Sequence, residues 1–237
     1  MKARVQRKAK LNQPTCVIAS ARPWNRGLAA RVAKRTGIKV VSISSPDELT
    51  AVHLKRINPS YVFFPHWSHI IRADIFDAFE CVIFHMTDLP FGRGGSPLQN
   101  LIVRGHDRTK ISALKCVREL DAGPIYMKRD LSLQGTAEEI FIRADLVIEE
   151  MIVDVLTKKP KPKPQKGRVT TFQRRKPDQS NLDEAKSLDQ AYDMIRMLDA
   201  DGYPPAFLEV GPFRLEFKRA SRKTSSLEAA VHITLLK

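Results

Sequence analysis

The chain has 237 residues, 43% of them hydrophobic, which suffices for one substantial core and a small appended unit and excludes a disordered chain. Its formal net charge of +14 at pH 7, from 40 basic and 26 acidic residues, favours anionic ligands. No apolar run approaches the roughly 20 residues that span a bilayer, and no apolar stretch of the signal-peptide kind follows the basic amino terminus, so a cytoplasmic protein is expected.

Residues 1–14 carry Lys2, Arg4, Arg7, Lys8 and Lys10 with no acid and read as a basic, flexible tail. Thr15–Ala19 is the first apolar run, followed by a helix-like segment over 27–36 that stops at Gly37. Lys39–Ile43 reads as a strand, and Ser45-Pro46-Asp47-Glu48 opens a helix with acids in its first turn. Tyr61–Phe64 and Cys81–His85 follow as the third and fourth strands. This alternation predicts right-handed βαβ units and an α/β, Rossmann-like fold, a mostly parallel sheet with helices on both faces. The pattern Gly-x-Gly-x-x-Gly is absent, so nothing points to a dinucleotide. Cys16, Cys81 and Cys116 lie in or beside apolar runs and read as reduced core thiols.

The fourth strand ends in His85 and breaks into Leu89-Pro90, Arg93-Gly94-Gly95 and Ser96-Pro97, which delivers an imidazole to a loop at the sheet edge, where α/β proteins place their chemistry. Two strand-like segments over 110–116 and 124–131 are joined through the turn Asp121-Ala122-Gly123. Thr136 and Glu139 form a capping box that starts an amphipathic helix to about residue 156. Lys158, Lys159, Lys161, Lys163, Lys166 and Arg168 then alternate in part with prolines, the composition of an extended, solvated spacer. Arg174-Arg175-Lys176-Pro177, a helix over 187–198 and a hairpin over 210–217 complete a small α+β extension. The division expected is a basic amino terminus over 1–14, a catalytic domain over 15–157, a Lys/Pro linker over 158–168 and a carboxyl-terminal α+β unit over 169–237.

The stretches around His85 and Asp121 resemble those of the folate-dependent formyltransferases, whose members read Asn-x-His, then Leu-Pro, Arg-Gly and later Asp-x-Gly. His85, Leu89-Pro90, Arg93-Gly94, Pro97 and Asp121-Ala122-Gly123 match, within a likeness covering most of residues 15–220. The resemblance implies an N-formyltransferase that moves a formyl group from 10-formyltetrahydrofolate to an amine without a metal, with His85 and Asp121 as catalytic residues. It places the folate among Trp67, Ser68, His69 and Ile70 after the third strand and Arg118, Glu119 and Leu120 before the aspartate. Trp67 is then placed to stack on the pterin. Arg93 and Gly94 would meet the amine, and Arg174 and Arg175 would pair with a diphosphate.

The family asparagine falls on Ile83, which has no hydrogen to donate to the developing oxyanion. Loss of one such donor costs roughly a hundred- to a thousandfold in rate. Replacement donors are His85 itself, His66, Thr87 and Asn100. The series from Arg174 to Phe207 is similar to the extension of the sugar amine formyltransferases. The 20 residues after Phe217 are too few for the OB-like tRNA-binding barrel of the methionyl-tRNA formyltransferases. The acceptor expected is therefore a nucleotide-linked amino sugar of cell-surface glycan synthesis, nucleic acid is not expected as a partner, and a homodimer stays open. A methionyl-tRNA formyltransferase-like enzyme and a non-catalytic ligand- or RNA-binding relative remain as alternatives, the latter motivated by Ile83 and the charge.

Overall fold

The computed structural model describes residues 14–236, so the basic run from Met1 to Lys10 lies outside the described residues. Thr15–Ala19 (β1), Leu28–Thr36 (α1), Lys39–Ile43 (β2), Ala51–Ile57 (α2), Tyr61–Phe64 (β3), Ala73–Phe76 (α3) and Cys81–His85 (β4) alternate as the apolar pattern requires. After β4 come the two-residue strand Arg93–Gly94 (β5), Pro97–Ile102 (α4), Arg108–Lys115 (β6), Ile125–Ser132 (β7) and Ala137–Lys158 (α5). The main sheet has the order β2-β1-β3-β4-β6-β7. Pairing is parallel from β2 to β4, and β6 and β7 add antiparallel.

One expected element differs. Residues 46–48 form a single 3₁₀ turn, and α2 starts only at Ala51, because the Thr50 hydroxyl accepts from the His53 amide at 3.1 Å and supplies the cap. The capping box of α5 is present: Thr136 accepts from the Glu139 amide at 3.3 Å, and the Glu139 carboxylate accepts from the Thr136 amide at 2.8 Å.

Side-chain alternation sorts β4 between two cores. Val82 and Phe84 join Leu28 and Val32 of α1 with Ile140, Ala144, Ile148 and Ile152 of α5, all sealed from solvent or nearly so. Cys81 and Ile83 turn to the other face, towards Leu54 of α2 and Ile75 of α3. Each fully buried aliphatic or aromatic side chain contributes about 1.5–3 kcal/mol of transfer free energy, so both faces hold β4 firmly. The three cysteines are free and buried, and burial pushes the Cys16 thiol up to about 12 and Cys116 up to about 11, which leaves them protonated. Helix α1 is also tied to α5 by Arg31 on Asp145 and Glu149 and by Arg35 on Glu149.

Beyond α5, Thr171–Phe172 (β8) pairs in parallel with β5. Leu188–Arg196 (α6), Ala206–Val210 (β9), Phe213–Arg222 (β10) and Leu227–Leu235 (β11) follow, and the last three form an antiparallel sheet of order β11-β10-β9. The hairpin turn falls at residues 211–212, inside the expected hairpin. β11, built on Leu227, Ala229, Val231, Ile233 and Leu235 at period two, is an element the sequence reading did not identify. Among the described residues no helix is long and apolar enough to cross a membrane.

Candidate functional site

His85 closes β4 paired with Ser112 of β6, two residues beyond the last pair with β3, which fixes its backbone, and it is 7% exposed. Nε2 lies 2.8 Å from the Gly92 carbonyl and Nδ1 lies 3.5 Å from Asp121 Oδ2. Both ring nitrogens thus face acceptors. Asp121 is equally buried, and its Oδ2 also accepts from the Gly94 amide at 2.9 Å, so one carboxylate oxygen joins the two loops.

The backbone explains how Asp121 arrives there. β6 runs antiparallel to β4, so its last residue, Lys115, pairs with Val82 near the start of β4. The chain must return along the face of the sheet to reach His85. Asp121 takes a left-handed φ of 52° to turn inward, and Gly123 packs so closely that a Cβ there would sit 1.8 Å from the Lys115 carbonyl oxygen. Glycine is therefore required two residues after the aspartate.

A second tight approach surrounds the loop after His85. A Cβ on Gly94, at φ 108°, would lie 2.4 Å from the Phe172 carbonyl. The segment over 163–172 runs beside this loop: Arg93 N donates to the Thr170 carbonyl at 3.0 Å, Gly92 N to the Thr170 hydroxyl at 2.7 Å and Gly95 N to the Phe172 carbonyl at 3.1 Å. Gln165 donates to the Asp121 and Gly123 carbonyls and accepts from Arg93. None of these strap residues was singled out in the sequence. The signal available was the spacing Gly92-x-Gly94-Gly95, which marks a backbone approached by something else.

The expected folate-lining residues fall on two loops bordering the core of α2 and α3. Trp67 packs against that core and its indole Nε1 is sealed from solvent without a partner. Ser68, His69, Arg118 and Glu119 are exposed, as are Ile70 at 94% and Leu120 at 69%. Ile70 and Leu120 are thus large apolar side chains left in water. Arg93 is only partly exposed, with its donors committed to Gln165 and Glu119. Arg174 is exposed. Arg175 is half-buried, held through its backbone N–H to Ser96 Oγ at 3.1 Å, with a guanidinium donating to the Gln179 carbonyl. Burial, then the nearby Arg104, lower the Arg175 guanidinium below its usual value.

Ile83 lies on the His85 face of β4, opposite Phe64 and Leu114 in the neighbouring strands. Of the replacement donors, Asn100 is committed: its Nδ2 donates to the carbonyls of Gly95, Ser96 and Gln173 at 2.8–3.1 Å. Thr87 makes one long bond of 3.4 Å to the Gly92 carbonyl that His85 also uses. His66 accepts from the Trp24 indole at Nδ1, 3.1 Å, which leaves the proton on Nε2, and that atom is buried with no partner. Burial, and secondarily the Arg22 guanidinium, push this imidazole down to about 3, so it is neutral. Among the described residues no group of three or more His, Cys, Asp or Glu could hold a metal ion.

A buried His–Asp pair thus stands at the carboxyl end of a parallel strand, the place where α/β folds carry their chemistry. The chain belongs to the formyltransferase family. A solved methionyl-tRNA formyltransferase from Clostridium thermocellum is 52% identical to it with a TM-score of 0.91, over 94% of this chain and 99% of that one. The family model for the methionyl-tRNA formyltransferase C-terminal domain matches residues 177–234. The methionyl-tRNA formyltransferase of Thermodesulfovibrio yellowstonii is 26% identical over 151 residues, 60% of this chain and 49% of its own length, so this chain spans about half of that relative. HypX from Aquifex aeolicus, solved with tetrahydrofolic acid, shares the fold at 18% identity and TM-score 0.71, over 86% of this chain and 37% of that one.

These likenesses correct two expectations. The amino-sugar nucleotide acceptor, and with it the diphosphate assigned to Arg174 and Arg175, gives way to the methionyl-tRNA branch, as does the expectation that nucleic acid is not a partner. The error came from equating that branch with one barrel-shaped appendage. Residues 177–234 match a C-terminal domain of that branch, and they are built as helices and a three-stranded sheet.

Proposed function

We propose that this protein transfers the formyl group of 10-formyltetrahydrofolate to the amine of methionyl-tRNA. The observation that carries the reading is the buried His85–Asp121 pair, in a chain 52% identical to a methionyl-tRNA formyltransferase. HypX, which shares the fold, was solved with tetrahydrofolic acid, and this supports a reduced folate as donor. The unpartnered indole of Trp67 offers a hydrogen to a pterin edge, and Ile70 and Leu120 offer apolar walls.

Attack of a neutral amine on the formyl carbon creates a tetrahedral oxyanion and a proton that must leave the nitrogen. His85 and Asp121 take up that proton as a unit, with Asp121 holding the ring, and then return it to the departing folate nitrogen. Two groups are candidates to replace the donor lost at Ile83: the Nε2–H of neutral His66, buried without a partner in the turn after β3, and the Thr87 hydroxyl, whose hydrogen is held only by a 3.4 Å bond to the Gly92 carbonyl.

The polyanionic acceptor is supported by charge. Lys159, Lys161, Lys163, Lys166 and Arg168 are exposed and make no ion pair among the described residues, and they lie on the strap whose Lys163 and Gln165 touch the Asp121 turn. Cations placed so close to the reacting centre suit phosphates next to an aminoacylated 3′ end. The test is formyl transfer by purified protein to methionyl-tRNA compared with free methionine. Formylation of the tRNA alone is expected, and absence of transfer to methionyl-tRNA would overturn the reading.

A further inference from the structure

We infer that Gln165, in the Lys/Pro strap, is a positioning residue for the His85–Asp121 pair. Its side chain spends its full bonding capacity in one place. Nε2 donates to the Asp121 carbonyl at 2.7 Å and to the Gly123 carbonyl at 2.9 Å, while Oε1 accepts from Arg93 Nε at 3.2 Å and Nη2 at 2.8 Å. The amide orientation is forced, since carbonyls only accept and a guanidinium only donates. One side chain therefore bolts the aspartate turn to the loop that follows His85.

The turn needs this support. Asp121 is a non-glycine residue at φ 52°, a conformation that costs free energy for a residue with a Cβ and persists only where its surroundings hold it. Its own carbonyl and that of Gly123 would lack these partners without Gln165. The strap is held in turn: Lys163 exchanges two backbone hydrogen bonds with Ile125, at 2.7 and 2.9 Å, just after the turn. Asp121 Oδ2 then reaches Gly94 N at 2.9 Å and His85 Nδ1 at 3.5 Å, so a shift of the turn by a few tenths of an ångström changes the alignment of the ring. Composition alone makes this segment a solvated spacer, yet its one amide side chain points inward among lysines and prolines.

The kinetic half of this inference rests on the formyl-transfer reading, and the structural half does not. Gln165→Ala removes all four bonds, and Gln165→Glu keeps an acceptor for Arg93 while placing a carboxylate against two carbonyls. Both variants should lose roughly tenfold or more in kcat with KM for either substrate within about threefold. A general structural role would multiply with other losses. Acting through Asp121, Gln165→Ala should instead cost less than about threefold more in an Asp121→Asn background. The amide of Gly94, which donates to Asp121, should exchange with solvent about tenfold faster in Gln165→Ala by NMR, with a retained cooperative melt. Additive kinetic losses, or unchanged Gly94 exchange, would overturn the assignment. An inactive parent would count against the formyl-transfer reading, and Gly94 exchange would still decide the role of Gln165.

Discussion

Asp121→Asn is the substitution that most directly tests how the site works. The new side chain has the shape of the old one, and its oxygen can keep the 2.9 Å bond from the Gly94 amide. That same oxygen position also faces His85 Nδ1 at 3.5 Å, so the contact geometry is kept while the full negative charge beside the imidazole, which would balance the proton taken from the attacking amine, is lost. General acid–base catalysis contributes about 10²–10⁴ in rate, so kcat should fall by about a hundredfold or more. The fold loses little, because one charge-assisted bond becomes a neutral one, a change of about 0.5–1.5 kcal/mol. Initial rates of formyl-methionyl-tRNA formation at saturating donor and acceptor, with thermal melts of both proteins, measure the two effects. A kcat within about threefold of the parent would refute the catalytic role of the pair.

His85→Ala should lose about 10²–10⁴ in turnover and retain a cooperative melt, as the ring makes one hydrogen bond and closes a strand whose pairing is backbone-made. His66 should make stability depend on pH: its folded value of about 3 lies below the unfolded value, so below about pH 6.5 the unfolded chain binds a proton the native protein refuses, and stability falls as pH drops towards 3. His66→Gln should flatten this slope between about pH 6.5 and pH 4 in denaturant titrations, and an unchanged slope would place the dependence elsewhere. Joint replacement of Lys161, Lys163 and Lys166 by alanine should weaken methionyl-tRNA binding and lessen the magnitude of its log–log salt slope by about two to three, whereas an unaltered slope would remove the strap from the acceptor interface.

The βα alternation was readable because each strand is an apolar run bounded by turn residues, and the end of β4 was readable because an imidazole, Leu-Pro and a glycine-rich loop follow in order. The Asp121 turn was readable from Asp-x-Gly. The strap was not. Its fixation consists of main-chain carbonyls, a threonine hydroxyl and one glutamine amide, none of which produces periodicity, and its lysines and prolines are those of a solvated spacer. Only the glycines on the opposite side registered its passage, since Gly94 can be nothing larger with Phe172 so near.

The acceptor was misassigned for a different reason, and the difference has a physical basis. Counting 20 residues after Phe217 tests whether one particular barrel can be built; it does not test whether the remaining residues can build another surface. They do: Leu227–Leu235 has the strict alternation of a strand, pairs along β10 and extends the sheet that residues 177–234 share with a methionyl-tRNA formyltransferase C-terminal domain. Ile83 bears on the same point from inside the site. An asparagine at that position would supply one oxyanion donor from β4, which isoleucine cannot, whereas the unpartnered Nε2–H of His66 sits in the turn after β3, against Trp24 and Phe141, on a residue kept neutral by burial. Under the formyl-transfer reading, a His66→Ala variant with unchanged kcat would exclude this imidazole as the replacement donor and leave the oxyanion to main-chain amides or to His85 itself.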